Sequence, residues 1–481
     1  MNWTEQAIKY LKDSLYPIPA ELNMIDWKSG LSSKTERLAH HLCAFANQEG
    51  GGFLVYGVND DATMFSVDKE QADEIIRKLG NIARNNLMQP LILEHATVDF
   101  NGNSLLFIHI PENVEKPVYL RGGTIYDSYR RSVGQTVKMS HQEVKQMIAE
   151  SQGLLFHEQT ALANATADEV LRLLDYDCYF RLTNRNLPES KTAILGALDS
   201  EEFIVKHGNS WNITNLGALL FARDLTVFKG LQYKTLRIIL YTGINRIDAH
   251  PELNFKNGYA CGFEHFIQFI MERTSVEVIE KVFRETKASY PEKTVRELLA
   301  NAIIHQDLWQ NGMHTMVEIF TDRTEITNPG TPLVDINRFI DTPPKSRNEK
   351  IAILMHFFDL CELRGSGIDR AIEAVEKAIL PAPKFIRGDF YTKVIIYPKK
   401  TFAQMSKDDR IRACYQHCCL KYMENKKMTN QSFRERMGIE EKNYSIVSRV
   451  IRDTITAGLI KGYSIDEAQV KKSTSYIPYW G

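Results

Sequence analysis

The apolar positions of this chain change period several times along its length, and each change marks a new element. Between Ser33 and Asn47 they recur at the spacing of one helix face. Gly50-Gly51-Gly52 then leads into the unbroken run Phe53-Leu54-Val55-Tyr56-Gly57-Val58, which reads as a strand buried on both sides. A second helix is predicted over Gln71 to Asn85, ahead of strands near 91–99 and 104–110. Residues 1–150 therefore read as an α/β module whose central strand is fed by a glycine turn.

From 151 to 285 the pattern predicts a helical connector with central strands. Its helices end in Trp211-Asn212-Ile213-Thr214-Asn215-Leu216-Gly217-Ala218-Leu219-Leu220-Phe221, followed by a strand over Leu236 to Tyr241 and a helix over Phe263 to Glu285. Residues 286–400 give a helix, strands at Met316–Phe320 and Arg323–Thr327, a Pro-Gly turn, further helices and a last strand at Thr392–Tyr397. That order suits an α/β sandwich. Residues 401–481 give amphipathic helices and a β-rich tail. No internal repeat is visible, and the fold class expected is multidomain α/β.

Composition bounds this picture. With 481 residues, 43% hydrophobic and 25% charged, the chain can bury several cores, about three or four by the usual length scaling. A net charge of −1 gives no whole-molecule field, so any affinity for nucleic acid has to come from local basic patches. Seven cysteines, mostly isolated in apolar stretches, suit free thiols in a reducing compartment. Cys414, Cys418 and Cys419 with His417 have some look of a zinc site, but no second ligand pair follows at usable spacing. The N-terminus lacks a signal-peptide pattern and no apolar run reaches membrane-spanning length, so a cytoplasmic protein without a membrane partner is expected.

Two clusters carry candidate chemistry. Glu21, Asp26 and Lys28 lie in one short run, and Asp60 and Asp61 follow the buried strand. Such acids can hold Mg²⁺ or Mn²⁺, with the lysine steadying a phosphate, an arrangement that suits phosphodiester cleavage. They can equally be surface acids and a strand-ending turn. In the second cluster, Arg296 to Asp307 puts Glu297, Asn301 and His305 at successive i, i+4 positions. There an asparagine can bind Mg²⁺ and a glutamate can orient water, or the stripe can be a satisfied hydrogen-bond network. Asn328-Pro329-Gly330 and Arg364-Gly365-Ser366-Gly367 follow, the latter a Gly-x-Gly turn opening a helix that could meet phosphate. Near the end of the first module, Arg121, Tyr129, Arg130 and Arg131 could combine phosphate contact and base stacking, or guard a strand edge.

The run Glu21-x4-Asp26-x-Lys28, Ala46-Asn47 and Glu49-Gly50-Gly51-Gly52-Phe53-Leu54-Val55-Tyr56-Gly57-Val58-Asn59-Asp60 resembles the Schlafen AlbA-type domain. The resemblance implies that Glu21, Asp26 and Asp60 are metal ligands and that Lys28 joins them at a nuclease centre. Asp26 stands where glutamate is commoner. The set Glu297, Asn301, His305, Asn328, Gly330, Arg364, Gly365 and Gly367 resembles a divergent GHKL-type ATPase domain, often found behind the first in bacterial proteins labelled RecG-like or transcriptional regulators. It implies ATP with Asn301 on Mg²⁺, Glu297 as catalytic base and the Gly365–Gly367 turn on phosphate. The adenine-reading aspartate is replaced by Asn328, and no Gly-Lys-Ser/Thr loop is present to support a helicase.

At the C-terminus, the capped helix Thr429–Ile439 and a second helix from Asn443 to Thr456 read as a winged helix-turn-helix. Arg449 and Arg452 would face DNA and Lys461 would lie on the wing, while protein docking or dimerisation is the other use of such a fold. The expectation is a nucleotide-responsive protein binding RNA or DNA. The leading expectation is a metal-dependent nuclease in stress or phage defence, and the alternative is a regulator without catalysis that binds ATP, and duplex DNA through its winged helix. A homodimer is favoured, open to a protein partner.

Overall fold

The computed structural model describes residues 3–15, 22–132, 134–151, 153, 155–280, 283–343, 345–361, 367–463 and 475–481. The chain is multidomain α/β, and it divides into two compact units, Met1–Leu155 and Phe156–Gly481.

In the first unit the strand Gly52–Tyr56 is central, because all five residues are apolar or glycine and can be buried on both sides. It pairs parallel with Ile25–Lys28 and antiparallel with Asn103–Ile110, which pairs in turn with Glu94–Phe100. Alternation divides its side chains between two cores. Leu54 and Tyr56 meet helices Thr35–Ala46 and Lys69–Asn85. Phe53 and Val55 meet helix Trp3–Leu15.

The glycine run is forced by close approach. A Cβ on Gly51 would lie 2.2 Å from the Ile110 carbonyl oxygen, and one on Gly52 would lie 2.0 Å from the Phe45 ring. Asn47 ends helix Thr35–Ala46 and ties the sheet to the segment beyond it. Its side chain accepts from the Val118 N–H at 2.6 Å and donates to the carbonyls of Val118 and Tyr129. The hairpin Tyr129–Ser132/Gln135–Lys138 is thereby laid against helix Thr35–Ala46.

The second unit is built on a six-stranded sheet in the order Leu253–Phe255, Leu236–Leu240, Thr315–Ile319, Thr324–Pro329, Tyr391–Ile396, Lys384–Arg387. Strand Leu236–Leu240 runs parallel to Thr315–Ile319, so the sheet takes strands from both sides of the boundary drawn at 285 and 286. Helices Tyr259–Thr274, Glu292–Ile304, Glu349–Phe357 and Gly367–Lys377 share one apolar core with it.

Two expected helices are shorter than the pattern suggested. The helix expected to Glu285 stops at Thr274, and Ser275–Glu280 and Phe283–Ala288 form an antiparallel hairpin. The β-branched alternation Val276, Val278 is the physical reason. Ser210–Thr214 is likewise a strand, and helix begins only at Asn215, where the Thr214 hydroxyl accepts from the Gly217 N–H at 3.0 Å.

Two small modules resemble each other in layout. One combines strands Thr160–Ala165, Ile204–His207 and Ser210–Thr214 with helices Ala167–Leu173, Tyr176–Leu182 and Lys191–Ser200. The other combines strands Met428–Thr429, Ile460–Tyr463 and Ser475–Pro478 with helices Lys407–Met423, Asn430–Arg436 and Tyr444–Thr456. In both, the last strand of the module sits in the middle of its sheet. Among the described residues no helix is long and apolar enough to cross a membrane.

Candidate nucleotide and nucleic-acid sites

A cavity of 160 Å³ opens between helix Glu292–Ile304, the strands Thr324–Pro329 and Tyr391–Ile396, and the start of helix Gly367–Lys377. The helix is amphipathic with a polar stripe, and the fold turns that stripe inward. Asn301 and His305 line the cavity together with Ile326, Asn328, Gly367 and Phe385. Glu297 sits one turn before Asn301 and is 8% exposed. A Cβ on Gly367 would come within 2.7 Å of Glu297 Oε2 and 3.6 Å of Asn301 Nδ2, so glycine lets this backbone lie over both side chains without displacing the Glu297 carboxylate.

Asn301 Nδ2 is buried and has no hydrogen-bond partner among the described residues, a cost that a ligand acceptor would remove. Burial, and then the nearby Arg347 charge, push the His305 imidazole down to about 4. It is neutral at physiological pH.

Asn328 donates its side-chain N–H to the Pro329 carbonyl at 3.0 Å, which leaves its carbonyl oxygen as the group suited to accept from a base. Gly330 serves packing and not the ligand space. At φ +100 its backbone passes Asp307, where a Cβ would meet the Asp307 Cβ at 3.0 Å, and it does not line the cavity. Arg364 and Gly365 lie outside the described residues. The sequence reading missed Lys345, which also lines the cavity, and the apolar wall of Ile326, Leu333 and Phe385. The Ser346-Arg347-Asn348 run was the available signal for that edge. Asn348 itself is structural, donating to the carbonyls of Ile304 and Gln306 at the end of the polar helix.

In the first unit, Asp26 is on the central strand's neighbour with no exposed surface. Its carboxylate is held by Arg131 at 3.1 Å, by His41 Nδ1 at 3.1 Å and by Lys28. Arg131 is itself fully buried, with its guanidinium over the Phe45 ring at 4.8 Å and a further bond to the Gly134 carbonyl. A buried carboxylate needs such partners, and here the cations of Arg131 and Lys28 and the imidazole of His41 supply them. Asp60 is exposed in the turn after the strand, where Asp61 binds the Thr63 N–H at 3.0 Å. Glu21 lies outside the described residues. The donor set around Asp26 is therefore cationic, which does not suit a resident Mg²⁺ or Mn²⁺.

The basic residues near the hairpin differ in their surroundings. Arg121 is exposed, and its Nε donates to the Leu87 carbonyl at 3.3 Å. Tyr129 stacks on His40 with ring centroids 3.9 Å apart. Arg130 is paired with Glu143 at 2.5 Å, and Arg131 reaches no surface. At the C-terminus Arg449 and Arg452 project from helix Tyr444–Thr456 into solvent, and Lys461 is exposed on the strand Ile460–Tyr463.

Cys414, Cys418 and Cys419 belong to the apolar core of that module, and burial pushes the Cys414 thiol up to about 12. His417 is taken by Glu376 at 3.0 Å and Ser432 at 3.2 Å, so this group is packing and not a metal centre.

Residues 21–140 match the family model described as "Schlafen, AlbA_2", and residues 312–396 match the one described as "Putative ATP-dependent DNA helicase recG C-terminal". The second match begins after the helix that carries Glu297 and Asn301. Among solved structures, the DIP2311 protein from Corynebacterium diphtheriae is similar at 14% identity. The alignment covers 99% of this chain and 98% of that one with a TM-score of 0.41. The N-terminal domain of the "Putative ATP-dependent DNA Helicase RecG-related Protein" from Nitrosomonas europaea is 24% identical, covering 28% of this chain and 95% of that one, with a TM-score of 0.20. No curated protein matches. The chain thus has one region similar to the Schlafen AlbA_2 family and another similar to the RecG C-terminal family.

Proposed function

We propose that this chain is a nucleic-acid-binding protein whose larger unit binds an adenine nucleotide, in the manner of a GHKL-type domain, in the cavity over Asn301. The observation that carries this reading is the buried, unpartnered Asn301 amide beneath Gly367, beside Glu297 and an apolar wall that fits a flat base. Asn301 would donate to a phosphate oxygen and offer its carbonyl oxygen to Mg²⁺, which would neutralise phosphate charge. Asn328 would accept from the adenine amino group. Glu297 would orient water, and neutral His305 would donate a hydrogen bond without adding charge.

Nucleic acid would be held by the exposed Arg449, Arg452 and Lys461 of a C-terminal winged helix. Of the two functions expected from the sequence, the binding one is favoured over cleavage, because the Asp26 carboxylate is already paired with the cations of Arg131 and Lys28 and contacts His41.

Titration of the full chain with a fluorescent ATP analogue in Mg²⁺ tests the nucleotide site. Saturable binding that weakens at least about tenfold in Asn301→Ala, a change of about 1.4 kcal/mol, is expected. Equal binding by the variant would remove the proposal. The companion assay, cleavage of labelled RNA and DNA with Mg²⁺ or Mn²⁺, should show retained binding without metal-dependent cutting. Cutting that is lost in Asp60→Asn would restore the nuclease reading.

A further inference from the structure

Away from the cavity, three side chains with soft and anionic donors converge from the starts of two helices. Asp175 caps helix Tyr176–Leu182, Cys178 lies in its first turn, and Cys261 lies in the first turn of helix Tyr259–Thr274. One ligand atom from each lies within 4.8 Å of the other two. Among the described residues no other group of three or more histidine, cysteine or carboxylate side chains meets that condition. Cys178 is buried, while Cys261 and Asp175 are partly exposed, so the group is closed towards the core and open towards water.

We propose that Asp175, Cys178 and Cys261 form a binding site for a thiophilic divalent cation of the Zn²⁺ class, with water in the fourth position. A tetrahedral centre with metal–sulfur bonds of about 2.3 Å has sulfur–sulfur edges of about 3.8 Å. Closing from within 4.8 Å is a side-chain adjustment that leaves the helices in place. Two thiolates and a carboxylate around a dication leave one net negative charge. Arg223, 3.4 Å from the Asp175 carboxylate, is placed to offset it.

The protons balance simply. Each thiol gives one to solvent as its sulfur takes the cation, so binding tightens as pH rises. Without metal the two sulfurs share a hydrogen bond, which draws the Cys178 thiol below its usual range and raises Cys261. The cation replaces that bond. An open three-ligand set of this kind belongs to exchangeable or reactive metal positions, not to the closed four-ligand sites that hold a fold together.

The test is a Co²⁺ titration of the reduced full chain, followed by the sulfur-to-cobalt charge-transfer absorption and then by displacement with Zn²⁺. One equivalent should bind with that band. The band should vanish in Cys178→Ser and in Cys261→Ser, and Asp175→Asn should bind at least about tenfold more weakly, as losses around metal sites commonly do. Because a serine variant could misfold, alkylation of the unaltered chain with and without Zn²⁺ gives a second reading. Protection mapped to Cys178 and Cys261 is expected. No charge-transfer band in the unaltered chain, an unchanged band in either serine variant, or protection of other cysteines alone would each overturn the site.

Discussion

Asp26 and Arg131 meet at 3.1 Å with neither side chain exposed, joining a strand near the start of the chain to a hairpin more than a hundred residues later. Removing either partner leaves the other charge buried. Arg131→Ala is expected to destabilise the first unit by about 3 kcal/mol, the low end of the cost of breaking a buried pair because Lys28 still reaches Asp26. Urea unfolding of the full chain should show an early transition that is absent in the parent. A midpoint that does not move would show the pair to be solvated.

His305 predicts an acid-sensitive second unit. An unperturbed histidine takes its proton near pH 6.5, whereas His305 in the folded chain takes it near 4. Between these values the unfolded state holds the extra proton. The contribution to stability is therefore intact above about pH 6.5 and is lost as pH falls towards 4, by up to about 3 kcal/mol. Urea midpoints at pH 7 and pH 5 should differ more for the parent than for His305→Gln. A bound phosphate would favour the imidazolium, so nucleotide should shrink the difference.

The sequence was most legible where one period ran long. The strand after the glycine run, the helices at 35–46 and 69–85 and the central strands of the second sheet all sit within a few residues of where alternation or 3.6-residue spacing puts them. The Ser275–Ala288 hairpin was missed because a helical spacing upstream ran on into β-branched residues, and tertiary pairing decided the matter. At the cavity, Asn301, His305 and Asn328 were readable from a polar stripe and a turn, but Lys345 and Phe385 come from loops and strands that only the fold brings near. Asp26 was read from its neighbours in sequence. Its decisive partners, His41 on the next helix and Arg131 more than a hundred residues on, are joined to it by no local pattern, and the sequence offered Arg131 for nucleic acid.

Glu376 links two parts of the second unit. It sits near the end of the helix that begins at Gly367 by the cavity. Its carboxylate reaches His417 at 3.0 Å and Arg436 at 3.2 Å, the latter 3% exposed at the side chain. Burial pulls the Arg436 pKa down and Glu376 works against that. Glu376→Gln should cost about 3 kcal/mol, because the buried Arg436 then has no counter-charge from this helix and keeps only neutral acceptors such as the Leu380 carbonyl at 2.7 Å. Hydrogen exchange should localise the loosening to helices Asn430–Arg436 and Tyr444–Thr456. Loosening confined to the cavity would contradict the linkage.

Two glycine-to-alanine changes separate packing from helix propensity. Gly196 lies exposed inside helix Lys191–Ser200 with nothing within 4 Å of a built Cβ, so Gly196→Ala should stabilise by about 0.5–1 kcal/mol through backbone entropy alone. Gly367 has Glu297 Oε2 at 2.7 Å from that point, and the carboxylate must swing away to admit a methyl group. Since a flexible side-chain end yields more easily than backbone, Gly367→Ala should keep its melting temperature near that of the parent. The displaced Glu297 and the methyl group over Asn301 should nonetheless weaken nucleotide binding about tenfold, or about 1.4 kcal/mol. Calorimetric titration beside a thermal melt reads both quantities. A Gly367→Ala chain that binds nucleotide as the parent does would move the phosphate position away from the start of this helix, while one that fails to fold would show that the close approach is a packing requirement of the core.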